Sequence, residues 1–350
     1  MNLPQRPTLL VDSRARDERP SRTTIIADLG WRHGGNFGQA ARLLTAAFRA
    51  GADGVKFPIH RTERCVCSTS DQEFARWKRW ELRRGELVKL ADLAGELGVE
   101  LIVAPQDLES IEDVADLKVS FKIGSGDNDF LPLLSSIAAT AKPILLSTGG
   151  SDLDRIGRSV DTIQGRWLIE GRRNSLTLMH AVCWEPTPAQ ATNLRAIATL
   201  RHRFDLPIGY ADHTSGTEAC VLAVSAGATV IEKEFAITAA AQEGETTTAG
   251  PVEFTEMVER IRNTEVWLGD GRKRVQEGER LSLRQRRRSI VAAHDLPEGH
   301  QITPQDLTWM RPASGLPPGC ELLLIGSHLR HPIHKHQPVQ LDDVRTARAA

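Results

Sequence analysis

Ionisable and hydroxyl side chains recur at the ends of short apolar runs along this 350-residue chain. The run 24–29 carries Asp28, 54–57 carries Lys56, and 101–104 leads into Pro105-Gln106-Asp107. The run 121–123 carries Lys122, with Ser125 and Asp127 just beyond. The run 143–146 leads into Ser147-Thr148-Gly149-Gly150. His180 ends 176–180, Asp212-His213 follow 206–210, and Glu232-Lys233-Glu234 close 229–232. Two lysines suit a phosphate or carboxylate, and backbone N–H groups at 125–126 and 147–150 can add anion contacts. One imidazole and one carboxylate, His213 and Glu234, suit a divalent ion with open positions. Structural readings compete with these. Each lysine can pair with a strand-end carboxylate such as Asp28 or Asp127, and His213 can bond to Asp212 or to backbone.

The elements that would position these groups follow from periodicity. The eight runs are short and apolar or β-branched, as strands buried on both faces should be. Amphipathic segments separate them. Residues 38–50 put Leu43, Leu44, Ala47 and Phe48 on one face, and 87–97 does the same with Leu90, Leu93 and Leu97. Gly51 and Gly98 follow these segments, where a left-handed cap is expected. Eight strand-then-helix units in series predict a parallel sheet, and eight closes a (β/α)8 TIM barrel. An open doubly wound sheet is the alternative, but no G-x-G-x-x-G follows the first strand. Barrel chemistry gathers at the C-terminal strand ends, so the listed side chains are expected to face one mouth.

A boundary is expected after residue 268. Residues 269–287 combine Gly-Asp-Gly with Arg284, Arg286 and Arg287, which reads as an exposed linker. Residues 288–350 read as a small β-rich domain, with a strand at 289–293, a turn at 296–299 and a short helix at 303–307 capped by Thr303. Residues 1–22 form a Pro- and Arg-rich lead-in without an apolar stretch, and the catalytic unit is expected at 23–268.

Hydrophobic residues make up 40% of the chain and the formal net charge is −1, which argues against nucleic-acid or membrane-surface binding. No run approaches the roughly 20 apolar residues of a membrane span. Five scattered cysteines do not build a disulfide framework, and Cys65 and Cys67 lack a second pair for zinc. The expected location is the cytoplasm.

The motifs, in order, resemble the sialic acid synthase family. Ile25–Gly30 with Arg32-His33-Gly34-Gly35-Asn36 is similar to that family's I-A-E-I-G-x-N-H-N-G-D. Ala50-Gly51-Ala52-Asp53-Gly54-Val55-Lys56-Phe57 resembles A-G-A-D-A-V-K-F-Q. Residues 121–127 resemble K-I-A-S-G-E, 145–149 I-L-S-T-G, 209–214 G-Y-S-D-H-T, and 227–235 G-A-x-x-I-E-K-H-F. Arg288-Ser289 and Arg311-Pro312 resemble its antifreeze-like (SAF) domain. The resemblance spans about 24–344. It implies condensation of phosphoenolpyruvate with an aldehyde sugar to give a nonulosonic acid, with a divalent metal (Mn2+ or Mg2+) activating the aldehyde. It also implies a domain-swapped homodimer in which Arg311 reaches the sugar of the partner subunit. By position, Lys56, Lys122 and Ser125 would hold the enolpyruvyl donor, and Asp127, Ser147, Thr148 and His180 would add substrate contacts. His213 would be one metal ligand, with Glu234 in place of the second.

Several positions depart from that pattern. Glu234 stands for a metal His, Asp28 for a Glu, Ala104 for a Thr, Pro58 for a Gln and Ala211 for a Ser. Cys183 and Glu185 replace an Asn and a Tyr, and Gly244-Glu245-Thr246-Thr247 replaces G-P-D-H. Lost hydrogen bonds to substrate are typically worth about 0.5–1.5 kcal/mol each. Three functions therefore compete. The first is a synthase with a phosphorylated or carboxylated donor on Lys56 and Lys122, Asp28, Glu185 and His213 being catalytic. The second is an aldolase or lyase on the same scaffold that does not use phosphoenolpyruvate. The third is a non-catalytic sugar-binding protein.

Overall fold

The structure is a computed structural model and describes residues 22–67, 71–172, 174–237 and 246–345. The chain divides into two compact units, Met1–Gly271 and Arg272–Ala350. In the first, eight parallel strands pair in chain order and close into a barrel. They are β1 (Thr24–Asp28), β2 (Gly54–Ile59), β3 (Glu100–Pro105), β4 (Ser120–Ile123), β5 (Ile144–Ser147), β6 (Leu176–His180), β7 (Ile208–Asp212) and β8 (Val230–Glu234). Every expected strand is present, with ends shifted by two residues at most. The helix expected at 38–50 runs Phe37–Arg49, with the Asn36 side chain accepting from Gln39 N–H. The next amphipathic helix, Arg84–Leu97, ends on left-handed Gly98.

Side chains alternate along each strand, and this alternation decides what reaches the mouth. Ile26, Ile102, Leu145, Met179, Ala211 and Val230 pack together inside the barrel. Their neighbours Ile25, Val103, Leu146, Leu178, Tyr210 and Ile231 join the layer beneath the helices. Large and small inward residues interlock. At Gly209 a Cβ would collide with Met179 Sδ and with the Val230 carbonyl, so only glycine lets β7 pass. No described helix is long and apolar enough to cross a membrane.

The second unit pairs β9 (Ser289–Ala292) with β10 (Leu307–Met310), and β11 (His328–Leu329) with β12 (Val344–Arg345), around Ile290, Leu296, Ile302, Leu324, Ile333 and Val339. The stretch expected as a linker contains a largely exposed helix, Glu279–Arg286. The expected helix at 303–307 is instead one 3-10 turn, Pro304–Asp306. Asp306 reaches back to Thr303 N–H at 2.7 Å, which closes the turn before Leu307 enters β10.

Asp306 also accepts from Thr303 Oγ1 at 2.8 Å and lies 2.9 Å from His300 Nε2 and 3.1 Å from His294 Nε2. Burial alone would raise its pKa, but His300 and Thr303 outweigh burial and hold it at about 2, below the ordinary 3.8. A depressed folded-state pKa stabilises fully above the unfolded value and loses that contribution as pH falls through the folded one. The second unit is therefore expected to lose stability between about pH 4 and pH 2. An Asp306→Asn variant should lower stability at neutral pH and flatten that acid limb, as read from unfolding midpoints against pH.

Candidate active site

Glu232, on the inward face of β8, holds the floor of the mouth. Its Oε1 lies 2.7 Å from Lys56 Nζ, and Lys122 Nζ lies 3.1 Å from Oε1 and 3.0 Å from Oε2. Lys56 also meets Asp28 Oδ2 at 2.7 Å, while Gly30 N–H binds Asp28 Oδ1 at 3.0 Å. Each lysine is thus ion-paired, but the shared partner is Glu232, to which the sequence reading gave no role. Burial opposes the Lys56 charge, but Asp28 and Glu232 outweigh it and raise its pKa. Burial pulls Lys122 below its ordinary value, with Glu232 working against it. Burial would raise Glu232, but the two ammonium groups hold it well below the carboxylate range.

Two loops flank this floor. Ser125–Asp127 forms a 3-10 turn after β4, braced by Asn128 Nδ2, which donates to the Gly149 carbonyl at 2.9 Å. At Gly149 a Cβ would stand 2.6 Å from Ser125 Oγ and 2.7 Å from Cys183 Sγ, so all three groups crowd one corner. Ser147 is buried at the end of β5, and Thr148 donates from Oγ1 to the Met179 carbonyl at 3.1 Å. Burial, then Asp129, raises the Asp127 carboxyl.

On the other side stands a cluster from the loops after β6 and β7 and the end of β8. His213 Nδ1 lies 3.0 Å from Glu185 Oε1 and 3.5 Å from Glu234 Oε1. One ligand atom from each of Glu185, His213 and Glu234 lies within 4.8 Å of the others. Nδ1 is buried yet aligned as a hydrogen bond with neither carboxylate. Burial lowers the His213 pKa, but Glu234 and Glu185 overcome it and raise the imidazole. Glu234 Oε2 is taken up differently. It meets Arg32 Nη2 at 2.9 Å and accepts from Thr248 Oγ1 at 3.1 Å and Thr247 Oγ1 at 3.3 Å. Burial would raise Glu234, but His213 and Arg32 hold it at about 2. An orphaned imidazole nitrogen facing two carboxylate oxygens fits a divalent ion, which also needs oxygen and nitrogen donors converging from different loops.

Not every strand end faces the mouth. His180 points outward from β6, stacks obliquely near Tyr210, and sits 2.9 Å from the Thr192 carbonyl through Nε2. Asp212 and Lys233 also point outward and pair at 2.7 Å, both fully buried. Asp212 further accepts from Tyr210 Oη at 2.8 Å and from Thr214 N–H at 3.0 Å, and Lys233 donates to the Thr214 carbonyl at 2.8 Å. This network pins both sides of His213. The expectation that all the strand-end side chains share one mouth is corrected accordingly for His180, Asp212 and Lys233, because strand pleating sends adjacent residues to opposite faces. Arg311 belongs to the second unit, where its Nε donates to the Arg286 carbonyl at 2.7 Å. Gly244 and Glu245 lie outside the described residues.

Sequence comparison adds a family to this geometry. The NeuB family matches residues 43–273, and the SAF domain matches 287–345. An uncharacterized protein of Methanocaldococcus jannaschii is 34% identical over 324 residues, which is 92% of this chain and 94% of that one. The N,N'-diacetyllegionaminic acid synthase of Legionella pneumophila is 33% identical over 320 residues, 87% of this chain and 90% of that one. The crystal structure of N-acetylneuraminic acid synthetase from Leptospira borgpetersenii aligns with a TM-score of 0.69 at 27% identity, covering 75% of this chain and 90% of that one.

The buried pair beneath His213 yields a prediction. Lys233→Met keeps the length of the side chain but strands Asp212 in the interior. Breaking a buried pair from one side typically costs about 3–5 kcal/mol. Chemical denaturation is expected to show a loss of that order. A loss below about 1 kcal/mol would mean that Tyr210 and Thr214 N–H satisfy Asp212 alone.

Proposed function

The chain belongs to the NeuB family and carries a SAF domain, and on that premise we propose that it is a nonulosonic acid synthase-type enzyme. Phosphoenolpyruvate, or a closely related phosphorylated or carboxylated donor, binds on Lys56 and Lys122, and an aldehyde sugar is the acceptor. The observation that carries this reading is the pair of lysines gathered on Glu232, beside the His213 cluster. Relatives named as synthases support it over a non-catalytic sugar-binding role.

Each group has a task in the proposed reaction. Lys56 and Lys122 neutralise the donor, and charge-assisted bonds to an anion are strong in a water-poor mouth. Ser125 and the backbone at 147–150 add anion contacts, with Ser147, Thr148 and Asp127 shaping that corner. The donor's methylene carbon bonds to the aldehyde carbon, whose oxygen takes up a proton; water adds to the neighbouring carbon that bears the phosphate, and that adduct collapses to a keto group by breaking its C–O bond and releasing inorganic phosphate. A divalent ion, manganese or magnesium, held by His213 and Glu234 would polarise the aldehyde oxygen. Asp28, 2.7 Å from Lys56, is the proton-transfer candidate. Glu185 extends outward from the same cluster toward the acceptor. His180 supports the β6 end from behind rather than touching substrate. Arg311 would serve a second copy of the chain in a cytoplasmic homodimer, a reading supported by the family resemblance.

An aldolase or lyase without phosphoenolpyruvate is the rival, and it is favoured by the altered residues Cys183, Glu185 and Glu234. Phosphate release separates the two. Mixed with phosphoenolpyruvate, Mn2+ and a panel of N-acylated aldoses, the protein is expected to release phosphate only when a suitable aldose is present. In calorimetry, Lys56→Ala and Lys122→Ala should each weaken phosphoenolpyruvate binding by about tenfold or more, since a hydrogen bond to a charged group is worth about 1.5–3 kcal/mol. Unchanged affinity in both variants moves the donor site elsewhere.

A further inference from the structure

We infer that Glu185 is a third protein ligand of the divalent-ion centre, which makes it a site of one imidazole and two carboxylates. This rests on the reading of His213 and Glu234 as ion ligands. The argument starts from how Glu234 is held. Arg32 Nη2 at 2.9 Å, Thr248 Oγ1 at 3.1 Å and Thr247 Oγ1 at 3.3 Å all converge on Oε2. Arg32 itself is fixed by a 2.6 Å bond to Thr248 Oγ1. Glu234 therefore cannot chelate through both oxygens without breaking this clamp, and only Oε1 faces His213. With that clamp intact the two residues supply two donor atoms, which leaves most of the coordination sphere of a hard six-coordinate dication for further oxygen donors.

Glu185 supplies such a donor. Its Oε1 approaches the same His213 nitrogen from the loop after β6, 3.0 Å away. The three donor atoms lie within 4.8 Å of one another. Ligands at roughly 2.0–2.6 Å from a common ion have about that spread. Both carboxylates lie within ion-pair distance of the imidazole nitrogen, and neither makes a well-aligned hydrogen bond to it. Two carboxylates and a neutral imidazole balance a dication, and such a set favours hard manganese or magnesium over zinc or nickel. Such an ion would have room for an acceptor oxygen as a further ligand.

The test is direct ion binding, independent of turnover. Wild-type protein and the variants Glu185→Gln, Glu234→Gln and His213→Ala are titrated with Mn2+, free ion being followed by electron paramagnetic resonance. Glu185 is largely exposed, so its amide variant keeps the fold. Glu185→Gln is expected to weaken Mn2+ about tenfold or more, comparably to Glu234→Gln. A Zn2+ titration should show Glu185→Gln shifting preference toward zinc. Unchanged Mn2+ affinity in Glu185→Gln, with loss in the other two variants, overturns the third ligand and leaves the ion site standing. Wild-type protein that binds no Mn2+, or binds it no better than His213→Ala, overturns the ion-site reading and this inference with it.

Discussion

The mouth of the barrel depends on one carboxylate shared between two lysines. Lys56 and Lys122 each lie about 3 Å from the same Glu232 oxygen, so they are close neighbours in a poorly hydrated space. At an effective dielectric of about 20, unit charges 4 Å apart interact by about 4 kcal/mol. Without Glu232 the two ammonium groups would repel, and Lys122, fully buried, would tend to give up its proton. With it, both positive charges persist where water is scarce. The barrel register makes this possible. β8 closes against β1, which sets Asp28 opposite Glu234 and, across β2, opposite Lys56. Inward positions on β8, β1 and β2 thus meet at one level.

The desolvation of this cluster limits its use as a stability element. Buried ion groups seldom repay their desolvation, so their presence reads as a cost accepted for binding. An anionic donor entering here would find positive charge already fixed in place. The lysines need not be reoriented from solvent, which is the benefit of preorganised electrostatics. Asp212 and Lys233 do comparable service one layer out. Their side chains point away from the mouth, yet they are tied to the residues on either side of His213.

Much of the fold was legible because a parallel barrel writes eight short apolar runs separated by amphipathic helices. The site was legible in part. Lys56, Lys122, His213 and Glu234 sit on inward positions, so reading strand ends found them. The same reading put His180 in the mouth, where strand alternation turns it away, because end position alone carries no parity. Counting by twos from Glu234 would have brought in Glu232. Nothing local signals the Arg32–Glu234 contact, which joins residues 202 apart in sequence through β1–β8 closure. In the second unit Thr303 caps a single turn, because Asp306 closes it and Leu307 begins β10, paired with β9.

The altered residues make most sense as coupled changes rather than independent losses. In the motif N-H-N-G an asparagine stands where this chain has Arg32, and in E-K-H-F a histidine stands where it has Glu234. Replacing a neutral imidazole by a carboxylate adds one negative charge to a partly buried site, which alone would be costly. Arg32 returns one positive charge 2.9 Å from that carboxylate and holds its pKa at about 2, so the local sum is unchanged. The exchange is not silent, however. An imidazole offers one nitrogen and needs no clamp, whereas a carboxylate offers two oxygens and must have one restrained if a single atom is to face His213. Arg32, Thr247 and Thr248 provide that restraint from two different loops. Glu185 then enters the space beside His213, so three substitutions, in the loops after β1 and β6 and at the end of β8, act on one small volume. The first two changes cancel in charge, while Glu185 adds a further negative charge and a further donor atom beside His213. The lysine floor beneath it keeps the older plan.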